Sequence, residues 1–86
     1  MSICIIEREA NSIREAIYYL GEVREDSFQT ELRIDSIEQR IESLYSLYAD
    51  SQYDMRVGDC LRVFDTLGNL TSFLEVIRKG LSNEQD

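Results

Sequence analysis

The chain has 86 residues and a formal net charge of −8, from 17 acidic and 9 basic residues, and it contains no histidine. The lack of histidine excludes serine–histidine and cysteine–histidine catalytic pairs and the Cys2His2 type of zinc site. The charge disfavours direct binding to nucleic-acid phosphates or to anionic membrane surfaces, because no basic cluster offsets it. We therefore expect a non-enzymatic protein with no metal or cofactor site and no direct contact with nucleic acid.

The length predicts one domain, 1–86, whose own core supplies only about 3–5 kcal/mol of net stability. Self-association or a partner protein is the expected source of further stability, and a homo-oligomer is the expected form of self-association. Cys4 and Cys60 lie within apolar helix patterns, which favours buried thiols, and a single Cys4–Cys60 disulfide is the alternative. No apolar run reaches the roughly 20 residues of a membrane span, and the first residues lack the features of a signal peptide. We expect a cytoplasmic protein that does not bind membranes.

The first predicted element is a helix over about 3–24. Its apolar residues recur at steps of three and four, the period of a helix that buries one face. These residues are Ile3, Ile6, Ala10, Ile13, Ile17 and Leu20. The opening run ICII is also compatible with a strand, and the helix is expected to fade near Gly21–Arg24.

The second predicted helix covers about 28–49 and is expected to start near Ser27, with Asp26 or Ser27 as the N-cap. Asp35 with Glu38 is a second capping possibility. Its seam, meaning its row of inward-facing positions, is Thr30, Ile34, Ile37, Ile41, Leu44 and Tyr48. A turn is predicted at 50–53, where Ser51 and Asp54 resemble a capping box. One continuous helix from about 30 to 66 is the alternative.

The third predicted helix covers about 54–79 and has the longest seam: Cys60, Val63, Leu67, Leu70, Leu74, Ile77 and Leu81. Gly80 is expected to end this helix in a left-handed conformation. Gly68 marks a possible kink or break, after which Ser72 and Glu75 would cap a new helix. The seam keeps its phase through Gly68, which favours one helix.

Three matching seams and short turns predict an all-α fold, a small antiparallel bundle of three helices in up-down-up order. Asp50, Gln52 and Asp54 imitate the start of an EF-hand loop, but Met55 stands where the loop needs glycine. Leu61 stands where the loop needs its last acid. We therefore reject calcium binding.

Apolar and aromatic residues outside the seams indicate a protein-binding surface. Tyrosine tolerates partial hydration and is enriched at interfaces, although a tyrosine at the core rim with its hydroxyl in water is the alternative. Tyr18 and Tyr19 are adjacent, so both cannot face the seam of the first helix. The candidate interface residues are Tyr18, Tyr19, Tyr45, Tyr48, Leu61, Phe64, Phe73 and Val76.

These features predict a small acidic protein-interaction module, an adaptor or chaperone-like subunit. It would bind a partner protein through apolar helix faces and form homo- or hetero-oligomers. The alternative is an acidic regulator or inhibitor that occupies a basic nucleic-acid-binding surface of a target protein. The even spread of the acidic residues along the chain counts against that alternative.

Overall fold

The structure is a computed structural model that describes residues 3–22 and 26–84, except the side chains of 82–84. Within these ranges it contains α1 (Ile3–Glu22), α2 (Ser27–Ser51), a single turn of 3-10 helix (Gln52–Asp54) and α3 (Val57–Glu84). Each α-helix packs against the other two, which confirms the predicted three-helix bundle. The bundle is a rod of 46 × 18 × 17 Å.

The direction of the helices follows from contacts between their side chains. Ser12 of α1 bonds Arg40 of α2, and Tyr19 lies beneath Arg33, so these two helices run antiparallel. Near the start of α1, Ile6 faces Val63 of α3, and near its end Ile17 faces Ile77. Hence α1 and α3 run parallel, with the antiparallel α2 packed against both.

The core consists of thirteen buried residues of the described chain, and every one belongs to a predicted seam. Leu67 and Ile34 are wholly buried, at 0% exposure. The core residues are Ile6, Ala10, Ile13, Ile17, Leu20, Ile34, Ile37, Ile41, Leu44, Val63, Leu67, Leu70 and Leu74. The seam residues at the helix ends, such as Ile3 and Leu81, are partly buried and pack against this cluster.

Asp26 begins α2, as one of the two capping alternatives predicted. Its backbone is extended, and its carboxylate accepts a hydrogen bond of 2.7 Å from the backbone N–H of Gln29. The Asp26 carbonyl also accepts a bond from the backbone N–H of Thr30, the first of the helical ladder. This pattern satisfies an N–H of the first turn that has no partner within the helix. The expected fade of α1 near Gly21–Arg24 falls partly on 23–25, outside the described residues.

The predicted capping box at the next junction is wrong. Ser51 is the last residue of α2, is buried, and makes no capping bond through its side chain. The 3-10 turn follows directly, and the extended backbone of Met55 then separates it from α3. The predicted turn at 50–53 is therefore displaced toward 52–56, because α2 keeps its phase through Ser51.

The predicted end of α3 is also wrong. The helix passes through Gly80 and continues to Glu84, and no described glycine has a positive φ. Half-buried Leu81 packs against the core, so burial carries the helix beyond the glycine. α3 continues through Gly68 as one helix, and no new helix begins at Ser72.

The cysteines differ from the prediction. They form neither a disulfide nor a pair of buried thiols, because Cys4 is exposed and Cys60 is half-buried. The thiol of Cys60 makes a weak hydrogen bond of 3.6 Å to the carbonyl of Gln52, which ties α3 to the 3-10 turn. Cys4 lies between Ile3 and Ile5 on α1, two residues from buried Ile6, and this places it away from the core.

We expect Leu74→Asp to unfold the domain. Leu74 is only 2% exposed, and a buried carboxylate without a partner costs about 3–5 kcal/mol, as much as the whole core supplies. Ser72→Asp, at an exposed position two residues earlier, adds the same charge without burial and serves as the control. Circular dichroism should show helix loss in the first variant alone; equal helicity in both would contradict the assigned core.

Gly68→Ala should raise the free energy of unfolding by about 0.5–1 kcal/mol, since alanine favours a continuous helix. Apart from its two chain neighbours and the backbone of its own helix turn, a methyl group at this position would meet no atom within 4 Å. Urea titration measures the change. A loss of stability would instead indicate that α3 bends at this residue.

Candidate protein-binding groove

The groove between α1 and α3 is the main apolar feature of the surface. It has a volume of about 190 Å³ and opens near the C-terminal ends of both helices. Arg14 is the single charged residue among the described residues that line it. The others are Ile17, Tyr18, Gly21, Leu70, Phe73, Val76 and Ile77.

Three of the predicted interface residues border this groove. Tyr18 follows buried Ile17 on α1, so it stands at the edge of the core rather than within it. Phe73 and Val76 lie three residues apart on α3, which puts them on one side of that helix. Tyr18 is 63%, Phe73 54% and Val76 67% exposed. Together they form an exposed apolar rim above a partly buried floor, and we call this surface the α1/α3 groove.

Two ion pairs lie at the other end of α1 and α3. Arg62 of α3 forms an ion pair of 2.9 Å with Glu7 of α1 and a second one of 3.3 Å with Asp59. Arg14 lines the groove itself and donates a hydrogen bond of 2.8 Å to the side chain of Asn11, also on α1. The shared face is thus divided, with charge near the helix N-termini and apolar residues near the C-termini.

Tyr19 belongs to a different surface from its neighbour. Successive helical residues are about 100° apart, so Tyr19 points toward α2 whereas Tyr18 points toward α3. The Arg33 guanidinium lies over the Tyr19 ring, 5.5 Å from the centroid, within the range of a cation–π interaction. Both tyrosines are exposed, but the structure does not bring them together.

The two tyrosines of α2 are half-buried and pack against the core. Tyr45 also lines the groove between α2 and α3, where Glu38, Glu42 and Glu75 are its neighbours. Arg78 bridges the same two helices through Glu38 at 2.9 Å and Asp35 at 3.6 Å. Tyr45 and Tyr48 therefore occupy the core rim, the alternative that the sequence left open.

Leu61 and Phe64 are exposed, but they do not reach the α1/α3 groove. Phe64 and Phe73 are nine residues apart, which is about two and a half helical turns, so they lie on opposite sides of α3. Val57, 77% exposed, extends the pair by one turn at the N-terminus. These three residues form a second apolar surface, which we call the outer stripe.

Sequence reasoning missed Val57 and several other exposed apolar residues. The sequence contains a signal for the outer stripe. Its residues recur at steps of four and three, as in a seam: Val57, Leu61 and Phe64. The other missed residues are Ile5, Phe28, Leu32 and Tyr53. Phe28 and Leu32 are four residues apart on α2 and so share one side of that helix, whereas Ile5 and Tyr53 fit no such spacing.

The described side chains include no group of three or more acidic residues and cysteines that could hold a metal ion. In this part of the chain no helix combines the length and hydropathy that a bilayer span requires. The geometry instead offers surfaces for contact: an apolar groove, an apolar stripe and two charged grooves.

No protein-family model, curated protein or solved structure matches this chain.

Proposed function

We propose that this protein is a small acidic, non-catalytic protein-interaction module, an adaptor or chaperone-like subunit that works in the cytoplasm. Its α1/α3 groove would receive an amphipathic helix of a partner protein. The observation that carries the proposal is the apolar rim of Tyr18, Phe73 and Val76, each more than half exposed. Large apolar side chains gathered at one groove are typical of protein-binding sites.

A helix suits the shape of this groove. Two parallel helices with an open groove between them can accept a third helix, and the assembly then has the packing of a four-helix bundle. An amphipathic helix would present apolar anchors at steps of three and four residues to the groove. Tyrosine and phenylalanine are well suited to such contacts, because they offer large area with few rotatable bonds.

Charge gives the expected character of the partner. The chain carries −8, so basic residues beside the apolar anchors of the partner helix would speed encounter and favour the correct partner. Arg14 is the exception, because it places a positive charge at the groove. An acidic residue of the partner helix would suit this position. A second copy of this chain lacks such a basic excess, so we favour a hetero-oligomer.

The outer stripe supports the adaptor part of the proposal. It lies on the opposite side of α3 from Phe73, so occupation of one surface would leave the other accessible. Val57, Leu61 and Phe64 are each more than half exposed. A second chain at this stripe would extend the homo- or hetero-oligomers that the sequence predicts.

The alternative function is an acidic regulator that covers a basic nucleic-acid-binding surface. The carboxylates of Glu38, Glu42 and Glu75 along the α2/α3 groove favour it. The salt dependence of binding distinguishes the two proposals. Binding through apolar contacts persists at about 0.5 M salt, whereas exposed charge pairs are largely screened.

Phe73→Gln should weaken partner binding by roughly thirtyfold, the effect of removing an aromatic anchor worth about 2 kcal/mol. Phe64→Gln is the matched control, because Phe64 is equally exposed, on the same helix and on its other side. The tagged protein and both variants would be used to recover partners from the native cell at low and high salt. Binding strengths would then be measured with the purified partner.

The proposal requires that the wild type and Phe64→Gln retain the partner of the α1/α3 groove at high salt and that Phe73→Gln loses it. Phe64→Gln would lose only a second chain bound at the outer stripe. Loss at high salt in all three would support the acidic regulator instead. A monodisperse monomer by light scattering, with no partner recovered, would contradict both. Equal binding by both variants would exclude the α1/α3 groove as the binding site.

A further inference from the structure

The outer stripe of α3 leads directly into the acidic groove between α2 and α3. After Phe64 the row continues at steps of four, three and four residues, which keeps it on one side of α3. The residues of this continuation are Gly68, Thr71 and Glu75. The last two line the α2/α3 groove, which has a volume of about 220 Å³. One face of α3 is therefore apolar in its first half and acidic where it meets α2.

Gly68 leaves open space in the middle of this row. It is half-buried, and a Cβ added there would meet no atom within 4 Å apart from its chain neighbours and its own helix backbone. The hydroxyl of Thr71, the next residue of the row, donates a hydrogen bond of 3.0 Å to the carbonyl of Leu67, so it lies against its own helix. The surface between the stripe and the groove is thus low, and a second helix can approach the α3 backbone closely here.

The carboxylates of the α2/α3 groove indicate the charge of an occupant. Glu38, Glu42 and Glu75 line it, and Glu38 is bonded to Arg78 at 2.9 Å. Glu42 and Glu75 are both exposed, and no arginine or lysine pairs with either of them in the described chain. The groove lies about three turns after the start of α2 and more than two turns before the end of α3.

An aromatic ring adds a second feature that favours a cation. Half-buried Tyr45 lines the groove together with the carboxylates, above the buried side chains of Ile41 and Leu74. A guanidinium or ammonium group in such a place can bond a carboxylate and also pack on the ring. An acidic segment would be repelled there, as it would by the net charge of −8.

We propose that the outer stripe and the α2/α3 groove together bind a basic amphipathic helix of a second partner protein. Its apolar residues would pack on Leu61 and Phe64, and its backbone would lie over Gly68. An arginine or lysine farther along this helix would bond Glu75 and pack on Tyr45. The proposal rests on the adaptor part of the proposed function and does not require that the α1/α3 groove is occupied.

The length of the surface sets the length of the probe. From Val57 to Glu75 the row is about 27 Å long, which corresponds to a helix of about 18 residues. A peptide of this length would carry leucine at steps of three and four residues and arginine elsewhere. NMR titration of the protein with it should give saturable shifts at Leu61, Gly68 and Glu75. The same peptide with glutamate in place of arginine should bind at least about tenfold more weakly, because the groove would repel it.

Two pairs of variants locate the bound peptide. Phe64→Gln should weaken binding of the basic peptide roughly thirtyfold, and Phe73→Gln, equally exposed on the other side of α3, should not. Gly68→Lys fills the open space with a cation and should weaken binding roughly tenfold. Asn69→Lys adds the same charge at an exposed position about 100° around the helix and should weaken it less than about twofold.

The absence of saturable shifts with the basic peptide, equal binding of the two peptides, or equal weakening by each variant and its control would overturn the proposal. Weakening by Phe73→Gln alone would mean that the peptide occupies the α1/α3 groove, which supports the proposed function and overturns this inference. Self-association of the protein without peptide, measured by light scattering and lost in Phe64→Gln, would identify a second copy as the occupant and would also overturn it.

Discussion

Burial of three aliphatic seams in one short core is the constraint on which the rest of this structure depends. Each helix carries branched aliphatic residues at steps of three and four, and an isolated helix cannot cover such a row. The chain therefore packs all three seams together, with Leu67 and Ile34 wholly excluded from solvent. Once the seams face inward, every side chain about 100° away must stand at a groove or in solvent. The surface chemistry follows from that requirement.

The three grooves differ because different flanking residues border them. Acidic residues and Arg78 border the α2/α3 groove, two arginines border the α1/α2 groove, and exposed apolar residues border the α1/α3 groove. Bonds from Arg40, Arg62 and Arg78 link the three helix pairs at the rim. Such exposed pairs contribute only about 0–1 kcal/mol each, so they favour the helix register more than they stabilise the fold. Stability resides in the core, and this leaves the grooves open to binding roles.

The seams could be predicted from the sequence because helical period alone determines them, and all thirteen core residues lie on these seams. Helix ends were less predictable. Gly80 has the local signal of a stop, but the packing of Leu81 carries α3 onward, and tertiary contacts outweigh a single glycine. The surface was predictable only in part. Sequence spacing identified exposed Tyr18 and Phe73, yet their position at one groove depends on how α1 and α3 are rotated about their own axes, which a linear pattern does not contain.

The central claim is that Tyr18, Phe73 and Val76 contribute to binding and not to the stability of the bundle. The free energy of unfolding of a variant with all three residues replaced by glutamine tests this claim most directly. Urea titration of the isolated protein at low concentration should give a value within about 1 kcal/mol of the wild type, since surface substitutions have small effects. Loss of the cooperative transition, or destabilisation by several kcal/mol, would show that these residues belong to the core and would contradict the account.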